Sequence, residues 1–433
     1  MSDLSVKTKV LFIILALLMF AGIVLASSPD QGNLPEKPDH GTSNEAVVPD
    51  DTNGDGDTNG DDEEEAQQAI PLGENKVPGA TFGFGYTAES VGLLMGENAS
   101  TNMNYLDNLD LSLEFSTEGL GFFPGGTILL QYLINNGADP TSFVGDAQAT
   151  SNIEANDTQR LYQAWYNQSI ADGAIEILLG MHDLNSEFYT SEYAGFFNNS
   201  SFGIGPDVAA NAPVSIFNLA ALGTRLKITT EDGFSLLAAI YDGDPGDPDL
   251  NHNGVQFDWD ADQGFMTIVE AQFEMQSIPD ADADPSIFRM GGWFHSAEFE
   301  TVNLDSLATV TGNYGLYYSI DYPLSSKLGA FVHGGFAAGD RSPVPTYTGF
   351  GFQTLNGSRF LFTNAIEQTF GLAVNSAFVA EEGNNEIVIE AAWHLQITEN
   401  LALKPDFQFV LNPGGVSSAD PALVFSIRTE IGI

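Results

Sequence analysis

The sequence predicts an all-β fold of about sixteen antiparallel strands, and three observations carry that reading. Apolar residues recur at every second position in run after run, clusters of Gly, Asn, Asp and Pro separate the runs, and no helical period lasts long enough for an α/β fold. The code is plainest at the end of the chain. Ile387, Ile389, Ala391, Trp393, Leu395 and Ile397 share one face against Glu390, His394 and Gln396. Leu401, Leu403, Pro405, Phe407, Phe409 and Leu411 then oppose Lys404, Asp406 and Gln408, and Leu423, Phe425, Ile427, Ile431 and Ile433 oppose Ser426, Arg428 and Glu430. Strands of this length with one apolar and one charged face suit a transmembrane antiparallel β-barrel with lipid outside and water inside. A soluble sandwich would bury the apolar face instead, and alternation alone does not separate the two.

The N-terminus narrows the choice. Lys7 and Lys9 precede an apolar run over 10–26 that ends in small residues, which reads as a secretory signal peptide over residues 1–26, cleaved after Ala26. An exported chain with no second run of that length and many two-faced strands is either secreted or an outer-membrane barrel. Residues 27–77 form an acidic low-complexity spacer with too little apolar surface to fold, so disorder is expected there. Asp51, Asn53 and Asp55 approximate a calcium loop, but acidic low-complexity sequence produces such spacings by chance and no helices flank them; a solvated spacer is the reading preferred.

The barrel portion, 78–433, opens with strands expected near 81–87, 109–116, 127–134, 161–168 and 174–180. Others follow near 223–229, 234–241, 265–275, 288–296, 313–321, 327–336, 348–355 and 368–379, before the terminal three. Leu109, Leu111, Leu113 and Phe115 oppose Asp110, Ser112 and Glu114, and Phe265, Val269, Ala271 and Phe273 oppose Glu270, Gln272 and Glu274. Two stretches break the rhythm. Residues 182–213 are long and aromatic, and are expected to fold inward as a constriction. Residues 242–264 carry Asp249, Asn251 and Asn253 in another calcium-like spacing, read in preference as a polar surface loop.

Composition excludes several functions. With 13 Lys plus Arg against 59 Asp plus Glu, the formal charge is -46, which repels nucleic acid. The absence of cysteine removes disulfides, thiolate metal sites and cysteine nucleophiles. No GxSxG, HExxH or phosphate-loop pattern occurs, and the six histidines do not pair at helical spacing with an acid, so neither an enzyme nor a cofactor is expected.

Gly145–Gln148, Ser151–Glu154 and Arg160–Trp165, followed by 180–188 and 196–202, resemble segments of the carbohydrate-selective porins of the OprB type. Lys404 to Gln408, Asn412 to Gly415 and 422–428 resemble that family's last hairpin and final strand. The similarity spans roughly 104–433. It implies a sixteen-stranded outer-membrane barrel through which small sugars and other small solutes diffuse passively, making contacts with residues inside the pore. A general ion-permeable porin, or a secreted calcium-dependent binding protein, is the alternative. The chain departs from the family in ending on Ile433 where such barrels tend to carry an aromatic residue, and in its acidic spacer, for which envelope contact is conceivable. Whether the barrel is a monomer or a homotrimer is left open.

A channel favouring sugars needs carboxylates and guanidinium groups for hydroxyls and rings for stacking on apolar sugar faces. Strand alternation places Asp110, Glu114, Arg225, Lys227, Glu270, Glu274, Arg289, His295, Glu390, His394, Lys404, Asp406, Arg428 and Glu430 inside. Arg160, Trp165 and Glu187 are assigned to the narrowest region. For any one of these charges the plainer role is a wall residue paired with its neighbour.

Overall fold

The computed structural model describes residues 79–99, 103–246, 251, 253–255, 263–275, 284–302, 308–355 and 366–432. The expected signal and spacer, with Asp51, Asn53 and Asp55, lie outside the described residues, as does Asp249.

Among the described residues sixteen strands form one closed sheet: β1 (Ala80–Met95), β2 (Asn104–Ser116), β3 (Gly126–Gly137), β4 (Thr158–Ile170), β5 (Ile175–His182), β6 (Ala221–Thr229), β7 (Phe234–Asp242) and β8 (Phe265–Met275), continuing through β9 (Ser286–Glu300), β10 (Thr309–Ser325), β11 (Leu328–Ala337), β12 (Thr346–Thr354), β13 (Glu367–Val379), β14 (Asn384–Thr398), β15 (Leu401–Leu411) and β16 (Ala422–Gly432). Each strand pairs antiparallel with the next, and β1 pairs with β16 to close the barrel, which removes every free edge. No described helix is long and apolar enough to cross a membrane; the apolar surface belongs to the strands.

The apolar face of the alternation points outward. Phe407 is 48% exposed and tilts against Phe425 with ring centroids 4.9 Å apart, both on the outer wall. Leu316, Phe350, Leu372 and Ile389 are exposed on the same side. A sandwich would bury these residues, so the soluble alternative fails on this geometry.

Most strands match the alternation, but β1, β9 and β10 run well beyond it. In β1 the code inverts after Thr87. The outward positions become Ala88, Ser90 and Gly92, while the inward ones become Glu89, Val91 and Leu93, yet pairing with both β16 and β2 continues. Backbone pairing does not require amphipathicity. The inversion makes sense once the lumen is considered, because those inward residues are covered by protein. Val91, Leu93, Leu106, Val388, Val410 and Val424 point inward and pack with Val144 and Ile153 of the β3–β4 connection, 138–157.

A second segment fills more of the lumen. The β5–β6 connection, 183–220, turns inward directly after His182, as its aromatic content predicts. Phe188, Tyr189 and Val208 pack with Trp293 and Tyr317 of the wall, and Phe197 and Phe202 pack with Phe331 and Ala373. The wall leaves room for this insertion. A Cβ at Gly371 would lie 2.7 Å from the rings of Phe196 and Phe197, and one at Gly335 would run into the Asp207 carboxylate. The two inserted segments also hold each other: the Asn152 amide donates to the Asn198 carbonyl at 2.7 Å, and the Ser200 amide to the Ala149 carbonyl at 2.9 Å.

Because β5 ends where the chain dives inward, the far end of β4 loses its neighbour there. The vacancy is taken by the β7–β8 connection, whose Asn253 carbonyl accepts the Leu161 amide at 3.0 Å. That contact, together with Asn251 Oδ1 accepting the Val255 amide at 3.1 Å, gives this calcium-like stretch a structural role in the barrel rim. Among the described residues no group of three or more His, Asp or Glu is placed to hold a metal ion.

Candidate solute pathway

Two halves of the inner wall use their polar residues differently. From β8 round to β14, carboxylates accept backbone amides of the inserted segments. Glu270 takes the Tyr189 amide and the Tyr317 hydroxyl, each at 2.8 Å. Asp321 takes the Glu192 amide at 3.1 Å and the Ser191 hydroxyl at 2.5 Å, while Arg289 holds that carboxylate at 2.9 Å. Glu390 takes two successive amides, Asn198 at 2.5 Å and Asn199 at 3.1 Å, and Glu386 takes that of Ala147 at 2.8 Å. Lys404 donates to the Phe196 carbonyl and lies 4.8 Å above its ring. Asp406 accepts from Gln408, which also donates to the Thr150 carbonyl at 2.7 Å. Amides directed away from their own strand ladder need acceptors, and charged acceptors are the strong ones.

The other half, β2 to β7, carries a polar ribbon. Asn108 and Gln131 donate to Asp110 at 2.5 and 3.0 Å, Gln163 donates to Gln131 at 2.7 Å, and the Trp165 indole donates to Gln163 at 3.2 Å. Arg160 and Trp165 are five positions apart, so strict alternation would put them on opposite faces. A bulge at Tyr162, where β3 and β4 shift register, turns both inward. Trp165 is half-buried and meets the His182 ring edge-on at 6.4 Å, and His182 stacks on Tyr241.

Glu187 of the inserted segment completes this cluster. Arg225 forks onto it with Nε and Nη2 at 2.6 and 2.5 Å, while Nη1 lies 3.5 Å from Glu176. His182 Nε2 is 3.6 Å from the same carboxylate, which stays 21% exposed. Asn167 donates to Glu176 at 3.0 Å, and Lys227 stands opposite Glu176 in the strand register. Charge, ring and amide thus meet at one level of the lumen.

The remaining assigned residues are dispersed. Arg160 faces inward but is only 2% exposed, beside Gly254, with Nε and Nη1 lacking a protein partner. Glu114 and Glu274 stand exposed near the ends of their strands. His295 is buried against the Gly243 carbonyl at 2.7 Å, and His394 pairs with Glu430 at 3.2 Å. Arg428 pairs with Glu89 at 2.7 Å.

Sequence reasoning passed over Glu89, Gln131, Gln163, Glu176 and Asp321. Glu176 between Ile175 and Ile177, and Asp321 between Ile320 and Tyr322, carry the alternating signal and were legible; Glu89 sits in the inverted part of β1 and was not. In the β3–β4 connection, burial with Asp139 beside it pushes Glu154 up to about 9, and burial pushes Asp146 up to about 6 against the pull of the Thr150 hydroxyl.

A closed barrel with an apolar outside, a polar inside and a tethered segment narrowing the lumen is a porin. The sequence pattern of the carbohydrate-selective porin OprB family matches residues 100–432, and the chain belongs to that family. It is a channel for passive carbohydrate diffusion, and family and fold together make it an outer-membrane protein. The high-pH structure of Pseudomonas putida OprB superposes with a TM-score of 0.73 at 17% identity, over 82% of this chain and 94% of that one. The low-pH structure of the same protein gives 0.51 at 15% identity, over 82% and 93%. No curated protein sequence matches the chain.

Proposed function

We propose that solutes pass along the β2–β6 side of the lumen, between the polar ribbon and Glu187, and that sugars are favoured there by the Trp165, Glu187 and Arg225 cluster. The observation carrying this reading is the contrast in use of charge. On the opposite wall Glu270, Asp321, Glu386 and Glu390 are consumed by amides of the inserted segments, whereas Glu187 and Glu176 keep exposed edges. A carboxylate accepts from sugar hydroxyls, the buried Arg225 guanidinium holds Glu187 in place for them, and the half-buried Trp165 ring offers a face for the apolar side of a pyranose. Arg289, Glu270, Glu390, Asp406 and Arg428 then act on the solute indirectly, by fixing the shape of the passage.

The barrel sits in the bacterial outer membrane with lipid against Phe407 and its companions. The end carrying connections 138–157, 183–220 and 243–264 faces outside, and the end with 171–174, 230–233, 326–327 and 399–400 faces the periplasm, in keeping with short inner turns and longer outer loops. Residues 1–26 act as the export signal, and 27–77 as an acidic spacer. Planar-bilayer conductance with and without glucose or maltose tests the sugar preference. Conductance falling as sugar is added supports it, and conductance indifferent to high sugar leaves a general porin.

A further inference from the structure

We propose that the buried ion pair Glu89–Arg428 is the clamp that positions the constriction, joining barrel closure to the placement of both inserted segments. This extends the reading of the lumen as a solute path and depends on it.

The pair lies on the seam. Glu89 of β1 and Arg428 of β16 face each other in the register that closes the barrel. Their side chains are 0% and 5% exposed, and both Nε and Nη2 of Arg428 donate to Glu89 Oε2, at 3.1 and 2.7 Å. Buried charges of this kind hold only when their other hydrogen-bonding positions are also satisfied. Here the inserted segments satisfy them. The Ser151 hydroxyl donates to Glu89 Oε2 at 2.8 Å, and Arg428 Nη2 donates to Asn152 Oδ1 at 2.8 Å, so the β3–β4 connection is gripped from both partners. Asn198 of the β5–β6 connection donates to Glu89 Oε1 at 3.3 Å and to the Ser426 hydroxyl at 3.4 Å.

Ser151, Asn152 and Asn198 are also where the two segments meet through the Asn152 amide and Asn198 carbonyl. The neighbouring amides of Asn198 and Asn199 belong to Glu390. One seam pair therefore fixes both segments at their junction. Arg428 and Glu89 do not touch the solute; they are positioning residues.

The test uses the full-length protein in planar bilayers and in liposomes. Ser151→Ala/Asn152→Ala/Asn198→Ala removes the side-chain grip of the pair on both segments while keeping the ion pair. It is expected to leave heat-modifiable gel migration unchanged, raise single-channel conductance about twofold, and admit longer oligosaccharides in liposome swelling. Glu89→Gln/Arg428→Gln, which neutralises the seam without stranding a charge, is expected to do the same and also to lower the temperature at which heat-modifiability is lost. Wild-type conductance and an unchanged exclusion limit in Ser151→Ala/Asn152→Ala/Asn198→Ala would overturn the clamp while leaving the solute path intact. A wild-type barrel that conducts nothing would overturn the solute path itself, and the clamp with it.

Discussion

The two sides of the lumen are built from the same residue types with opposite consequences. On β8–β14, Glu270, Asp321, Glu386 and Glu390 are closed off by amides of the inserted segments. On β2–β6, Asp110 and Glu176 bond to side chains of the wall itself, and Glu187 faces them from the insertion. A carboxylate beside an orphaned backbone amide becomes structure, whereas Glu176 and Glu187, bonded to side chains, keep exposed edges. Inward charge alone is therefore a poor marker of a substrate contact in a barrel whose lumen is partly filled.

The largest effect should come from the closed side. Glu390→Ala would leave the Asn198 and Asn199 amides buried without an acceptor, at about 1–3 kcal/mol for each. Its heat-modifiable transition should fall sharply while ion conductance rises; an unaltered transition would mean the insertion is held elsewhere. Phe407→Arg sharpens the distinction between inner and outer faces. A cation on the outward face near mid-membrane costs about 2–4 kcal/mol in such barrels, so assembly into liposomes should drop, whereas normal assembly would show the face is not against lipid.

On the open side the effects are smaller and fall on solute passage. Trp165→Ala removes a stacking face worth about 1 kcal/mol. Several-fold more sugar should then be needed to reduce the ion current to the same degree, with the thermal transition nearly unmoved. Equal losses in both measurements would place Trp165 with the structural residues.

The least of these effects concerns pH. Glu154, pushed up to about 9 by burial and by Asp139, supports the β3–β4 connection fully below the ordinary carboxylate value of 4.5 and loses that support as pH rises through about 9. Asp146, pushed up to about 6, adds a loss in the same direction at lower pH. Single-channel conductance should thus be noisier at about pH 10 than at about pH 6. Glu154→Gln should suppress most of the difference, and a variant as noisy as the wild type would assign it to other groups.

Much of this was legible in sequence, for a physical reason. A strand between two media shows each medium's preference at alternate residues, so the terminal hairpins, the outward Phe407 and Phe425 and the inward Glu390, Asp406 and Arg428 could be placed by counting. The inward course of the segment after His182 followed from its aromatic density. Arg160, Trp165 and Glu187 were assigned to the narrow region; Trp165 and Glu187 stand in the cluster around Arg225 and His182, whereas Arg160 is buried beside Gly254. The upper part of β1 was illegible because its inward Val91 and Leu93 face another protein segment, not water, so the alternation reverses. The bulge at Tyr162 was equally hidden, since a register shift leaves no periodic trace.

By itself the sequence determined the two-faced strands, which residues share a face and the inventory of polar groups on the hydrophilic face, because those depend on residue type and a period of two. Only the tertiary structure decided which polar groups hold the insertion and which border the passage. That depends on where two long connections place their backbone amides, and pairs such as Glu89 with Asn198, or Glu390 with Asn199, join residues that no local pattern relates.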